Sequence, residues 1–101
     1  MKIAYIAGPY RSETHHGIEL NIREAEAVAI KYWKLGYAVI CPHKNTAHFD
    51  GLAEDDIWLK GDLEILRRCD VIVLMKTWQK STGAKEEHKE AVRCGLEVIH
   101  D

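Results

Sequence analysis

Apolar positions along this chain gather into four short runs, separated by stretches in which they recur at helical spacing. The run Lys2-Ile3-Ala4-Tyr5-Ile6-Ala7 is closed by Gly8-Pro9 and predicts a first buried strand ending in a turn. Residues 10–17 are polar and form a loop longer than a plain connection needs, a feature often tied to function in small folds. Over residues 18–35, Ile18, Ile22, Ala25, Ala29, Tyr32 or Trp33, and Leu35 repeat with helical period, and Gly36 ends that helix. Tyr37-Ala38-Val39-Ile40-Cys41 predicts a second strand stopped by Pro42, and residues 43–56 read as irregular. A helix follows over residues 57–68, weakened by Gly61, with Leu59, Leu63 and Leu66 on its apolar face. Asp70 opens a third strand, residues 71–75. A helix drawn over residues 83–94 comes next, with Ser81 or Thr82 as its N-cap, and residues 96–100 make a fourth strand.

Strand runs that are apolar throughout, alternating with helices, imply a parallel sheet covered on both faces. The economical topology is an α/β, Rossmann-like three-layer sandwich of about four strands in the order 2-1-3-4. In that order the winding reverses between strands 1 and 3, and ligands of such folds sit outside the carboxyl ends of the strands at the reversal. The loops facing that crevice are Gly8-Pro9-Tyr10-Arg11-Ser12 and residues 77–83, with His43 near the exit of the second strand.

Two acids stand on faces where apolar residues are expected. In the last helix Ala84, Glu87, Ala91 and Cys94 share one side, while Lys85, Glu86, Lys89, Glu90 and Arg93 point elsewhere. Asp62 lies one turn from both Leu59 and Leu66. A carboxylate turned inward costs several kcal/mol unless it is paired, so it calls for a reason. Near a helix N-terminus Glu87 is expected to be ionised, an oriented nucleophile. The plainer alternative is a frayed first turn with Glu87 in water, an Asp62 that caps or pairs, and a Tyr5 that is only core. Two carboxylates in different environments are what glycosidic bond cleavage uses, one at the sugar carbon and one handling a proton. Ser81, Thr82 and Gly83 offer hydroxyls and backbone N–H groups at a helix N-terminus, with Arg11 and Ser12 able to face an anion there from the other loop. His43 could meet either a phosphate or a base.

With 101 residues, 47% hydrophobic and 30% charged, the chain predicts one domain over residues 1–101. A formal net charge of −2 gives no basic field for nucleic acid. No apolar run suits a membrane span, the N-terminus opens on a strand without a signal peptide, and Cys41, Cys69 and Cys94 read as reduced thiols of a cytoplasmic protein. Of the histidines only His43 and His48, with Asp50, suggest a metal, and they lack ligand spacing. Neither the GxGxxG nor the P-loop pattern is present.

Taken in order, Tyr5-Ile6-Ala7-Gly8-Pro9-Tyr10-Arg11-Ser12, Cys41-Pro42-His43, Gly61-Asp62-Leu63-Glu64, Asp70-Val71-Ile72-Val73, and Ser81-Thr82-Gly83 ahead of Glu87 resemble the nucleoside 2-deoxyribosyltransferase superfamily. They look most like its small members, the 2′-deoxynucleoside 5′-monophosphate N-glycosidases. The resemblance implies a Rossmann-like fold and a catalytic Glu87 that attacks the anomeric carbon. It implies that Tyr5 positions that glutamate and that Asp62 serves proton transfer and substrate placement. Gly8, Arg11, Ser12, Ser81 and Gly83 would belong to the substrate and phosphate pocket, and His43 to the active site. It implies no metal or organic cofactor, a small nucleoside or nucleotide as ligand, and a homo-oligomer, because relatives complete their pockets with a neighbouring subunit. The family's glutamate usually stands in a Tyr-Glu-Leu-Gly context, where this chain has Glu86-Glu87-His88-Lys89. Glu86 is therefore a competing candidate, about 100° off the inward face. Two other readings stay open: a nucleotide-binding module without turnover, and a small interaction domain.

Overall fold

The computed structural model describes residues 1–101. Four parallel strands, β1 (Ile3–Ala7), β2 (Ala38–Ile40), β3 (Val71–Leu74) and β4 (Glu97–His100), form one sheet in the order β2-β1-β3-β4. This is the Rossmann-like order expected from the hydrophobic pattern. The helices are α1 (His15–Lys34), α2 (Pro42–Asn45), α3 (Asp55–Arg67) and α4 (Thr82–Arg93), with a 3₁₀ turn at Trp78–Lys80.

Strand β1 organises the molecule because its side chains alternate between two cores. Ala4 and Ile6 pack with Ala25, Ala29 and Tyr32 of α1, whereas Tyr5 and Ala7 pack with Leu66 of α3 and Ala84 and Ala91 of α4. Tyr5, Ile6, Ile72 and Leu74 are among the largest wholly buried side chains, each contributing about 1.5–3 kcal/mol of transfer energy. Register between β1 and β3 runs from Ala4 opposite Val71 to Ala7 opposite Leu74. Its start is fixed by Asp70, whose Oδ2 accepts from the Ile3 N–H at 2.8 Å and whose own N–H donates to the Ile3 carbonyl at 2.9 Å.

Element ends follow local chemistry. Helix α1 begins three residues earlier than its apolar period, because the Thr14 hydroxyl accepts from Gly17 N–H at 2.9 Å and caps it. At its other end Gly36 takes φ of 100°, which a residue with a side chain adopts only with strain. Tyr32, not its neighbour Trp33, is the buried member of that helix. Strand β2 is shorter than predicted, since Pro42 sits at the first position of α2 and starts a helical turn as well as stopping the strand. Asp55 and Asp56 occupy the first turn of α3, where the helix dipole favours them, and so extend it ahead of Ile57. Ser81 caps α4, its hydroxyl accepting from Ala84 N–H at 3.1 Å. No helix is long and apolar enough to cross a membrane.

Candidate active site

A cavity of about 590 Å³ opens at the carboxyl ends of β1 and β2, closed on its far side by the start of α4. It lies at the reversal of winding between β1 and β3, where the topology calls for a ligand. Gly8 forms its rim by necessity: a Cβ there would stand 2.3 Å from the Met75 sulfur, so the strand exit can pass only without a side chain.

Groups from three elements build the cavity's inner wall: Glu87 and Asp62 line it, and Tyr5 stands wholly buried behind Glu87. Because Tyr5 faces the α3/α4 side of the sheet, its phenol reaches Glu87, and its hydroxyl donates to Glu87 Oε2. Glu87 is 8% exposed and lines the cavity together with Asp62, which α3 turns toward the same space. Glu86 is exposed. Burial pushes the Glu87 carboxyl up to about 8; the Tyr5 hydrogen bond opposes the rise and the charge of Asp62 adds to it. Burial alone lifts Asp62 to about 6. Tyr5 is driven well above the usual phenol range, first by burial and then by Glu87 and Asp62, so it stays a hydrogen-bond donor at neutral pH. The helix-dipole argument favoured an ionised Glu87, but this residue stands past the first turn of α4, where the dipole has faded, and desolvation wins. In the resting site Glu87 is mainly protonated at pH 7, with about a tenth ionised.

His43 is 5% exposed. Its Nε2 lies 2.9 Å from the Pro9 carbonyl and 3.2 Å from that of Gly8, two acceptors that require Nε2 to carry the proton. Burial lowers its basicity, opposed by those two carbonyls, so the ring is neutral and Nδ1, which has no partner, is an acceptor. With Nε2 held by two carbonyls and Nδ1 shut away from solvent, the ring offers no free donor to a phosphate and serves to fix the strand exit at Gly8-Pro9.

The family model of a domain of unknown function, DUF4406, matches residues 1–100. The chain belongs to the DUF4406 family. No curated protein matches it. Among solved structures it is similar to a 2-deoxyribosyltransferase from the psychrotolerant bacterium Bacillus psychrosaccharolyticus, at a TM-score of 0.72 and 18% identity, over 97% of this chain and 70% of that one. At that identity the likeness is one of fold.

Around the mouth of this DUF4406 cavity the structure distributes the remaining groups unevenly. Arg11 lines the mouth, with its guanidinium held by Asp55 of α3. Ser81 and Gly83 line the wall, although the Ser81 hydroxyl is already engaged as the cap of α4. Ser12 is not among the lining residues; its hydroxyl turns to the start of α1, 3.5 Å from Thr14 N–H, and sits where a Cβ on Gly17 would be. His48 pairs with Glu19 at 3.1 Å and Asp50 accepts from Tyr10 at 2.9 Å, so these two and His43 do not converge on one point.

The contacts of Tyr10, whose loop the sequence places at the crevice, and the presence of Trp58 escape a reading by sequence alone. Tyr10 ties the segment after α2 to the mouth: its hydroxyl donates to Asp50 and accepts from His48 N–H at 2.9 Å, while Asn21 Nδ2 donates to the Tyr10 carbonyl at 3.0 Å. Trp58 lines the wall beside Leu59, with Phe49 edge-on at 5.7 Å. Its position four residues before Asp62, hence on the same side of α3, is the one signal that could have marked it.

Proposed function

We propose that this chain cleaves, or transfers, the N-glycosidic bond of 2′-deoxynucleosides or their 5′-monophosphates, with Glu87 as nucleophile. The observation carrying this reading is the buried Tyr5–Glu87 hydrogen bond in a cavity that Asp62 also lines. Tyr5 occupies Oε2 and so leaves Oε1 as the oxygen for attack at C1′. The pair reacts as the Glu87 carboxylate and the Asp62 acid: the proton that Glu87 holds at rest passes to Asp62, which gives it to the departing base. The glycosyl ester on Glu87 is then released by water as the free sugar or sugar phosphate, or captured by a second base. The fold shared with a 2-deoxyribosyltransferase supports the reading.

Ligand binding tunes the same pair. A substrate that displaces water from the cavity makes the charge on Glu87 costlier, while the positive character developing at C1′ makes it more favourable, so the carboxylate is stabilised most in the transition state. Assembly as a homo-oligomer is part of this proposal, and Ile30 and Trp33, exposed one turn apart on α1, offer it apolar surface.

The direct test is chromatographic. The protein is incubated with the four deoxynucleotides and the four deoxynucleosides, with and without a spare base, and free or exchanged base is measured. Base release that is lost in Glu87→Gln supports the reading. Full activity in Glu87→Ala would falsify the nucleophile assignment, and no release from any of the compounds would refute the activity itself.

A further inference from the structure

The cavity mouth contains a cation that is already spoken for. Arg11, on the loop after β1, is bound through Nη2 by Oδ1 of Asp55, in the first turn of α3. Both side chains line the cavity, and both are more than half exposed, at 57% and 66%. The other mouth carboxylates have partners of their own, Asp50 with Tyr10 and Asp56 with Lys60 at 3.2 Å. Asp55 alone holds Arg11, and the loop bearing the arginine is fixed from behind, since Asn21 Nδ2 also donates to the Arg11 carbonyl at 3.3 Å.

We propose that Asp55 is a specificity-determining residue: it competes with a ligand's phosphate for Arg11, and so shifts the cavity's preference away from 5′-monophosphates and toward uncharged deoxynucleosides. The proposal rests on the reading of the cavity as a deoxynucleoside site and specifies its substrate class. A nucleoside can bind with the Arg11–Asp55 pair intact. A monophosphate must share or displace it, because one terminal nitrogen of the guanidinium is already given to Asp55, whose negative charge also lies beside the incoming anion. The exchange is feasible, since a pair this exposed is weak and a phosphate dianion is the stronger acceptor. What it leaves behind is an unpaired Asp55 carboxylate near the new anion, and that repulsion is the source of the discrimination.

The test uses probes without a glycosidic bond, so it does not depend on turnover. Binding of inorganic phosphate, 2-deoxyribose 5-phosphate and 2-deoxyribose is measured by calorimetry on the wild-type chain, Asp55→Asn, Asp55→Glu, Arg11→Ala and the Arg11→Ala/Asp55→Asn pair. Asp55→Asn is expected to bind the sugar phosphate roughly fivefold to tenfold tighter, from loss of one nearby negative charge, with 2-deoxyribose changed less than about twofold. Asp55→Glu, which can restore the pair, should behave as wild type, and the gain should vanish in the double variant. The proposal is overturned if Asp55→Asn gains nothing, if the gain survives removal of Arg11, or if no variant binds the sugar phosphate. A chain that passes these tests yet releases no base would contradict the enzymatic reading while leaving the role of Asp55 intact.

Discussion

Replacing Glu87 with glutamine separates its contribution to stability from that of every other acid. Glutamine has nearly the same shape, and its carboxamide oxygen can still accept from the Tyr5 hydroxyl. In the folded chain Glu87 titrates at about 8, against an ordinary value of 4.5. The folded state therefore holds a proton that the unfolded chain has released, and stability falls as pH rises through that interval. Below the lower value there is no penalty, and above the higher one it is complete. At about 1.4 kcal/mol for each pH unit, the interval integrates to a ceiling of about 5 kcal/mol. Water drawn in beside the charged carboxylate reduces it, and about 2–3 kcal/mol is a reasonable floor. Against a total of about 5–15 kcal/mol for an ordinary domain, that is a large share. The assay is urea denaturation followed by circular dichroism at intervals from about pH 4.5 to about pH 9. Wild type should lose stability across the series, and Glu87→Gln should lose much less. Asp62 remains in both proteins, so the difference between the two curves isolates Glu87. Parallel curves would refute the claim that this carboxyl is buried and protonated at rest.

Other outcomes follow from the same geometry. The pH profile of kcat/KM for base release should be bell-shaped, with flanks near the two carboxyls, about 6 and about 8; a profile that falls off on neither side of that interval would count against the paired acids. Tyr5→Phe removes the bond that opposes the rise of Glu87, so its alkaline-side flank should move to still higher pH, and an unmoved flank would mean that the phenol does not tune the carboxyl. Arg11→Ala should weaken monophosphates severalfold more than nucleosides, with equal losses counting against any phosphate role. Light scattering should report more than one copy per particle, and a particle that is monomeric at all concentrations would remove the oligomer from the proposal.

The sheet order and the inward placing of Glu87 were legible because each rests on one strong regularity. Unbroken apolar strands demand helices on both faces, and the i, i+3, i+7 spacing of Ala84, Glu87 and Ala91 gives the glutamate their direction. Its protonation was not legible, since that depends on how completely distant parts of the chain exclude water, and a rule about helix ends points the other way. The segment between β2 and α3 resisted reading for a related reason. Its order comes from Tyr10, some 40 residues away in sequence, whose hydroxyl holds Asp50 and His48. Ser12 shows the opposite error: a residue type suited to anions, in a loop adjoining the site, that instead serves the backbone at the start of α1. Arg11 was placed at the mouth by sequence, but its neutralisation by Asp55 joins two loops that no spacing rule connects.

The alternation of β1 has an evolutionary corollary. Ala4 and Ile6 serve one layer while Tyr5 and Ala7 serve the other, so a single inserted or deleted residue in this strand would rotate the phenol into the layer of α1 and aim a small aliphatic group at the glutamate. Length variation among descendants of this sequence should therefore be purged from the first strand and tolerated around Gly51, in an exposed turn between α2 and α3.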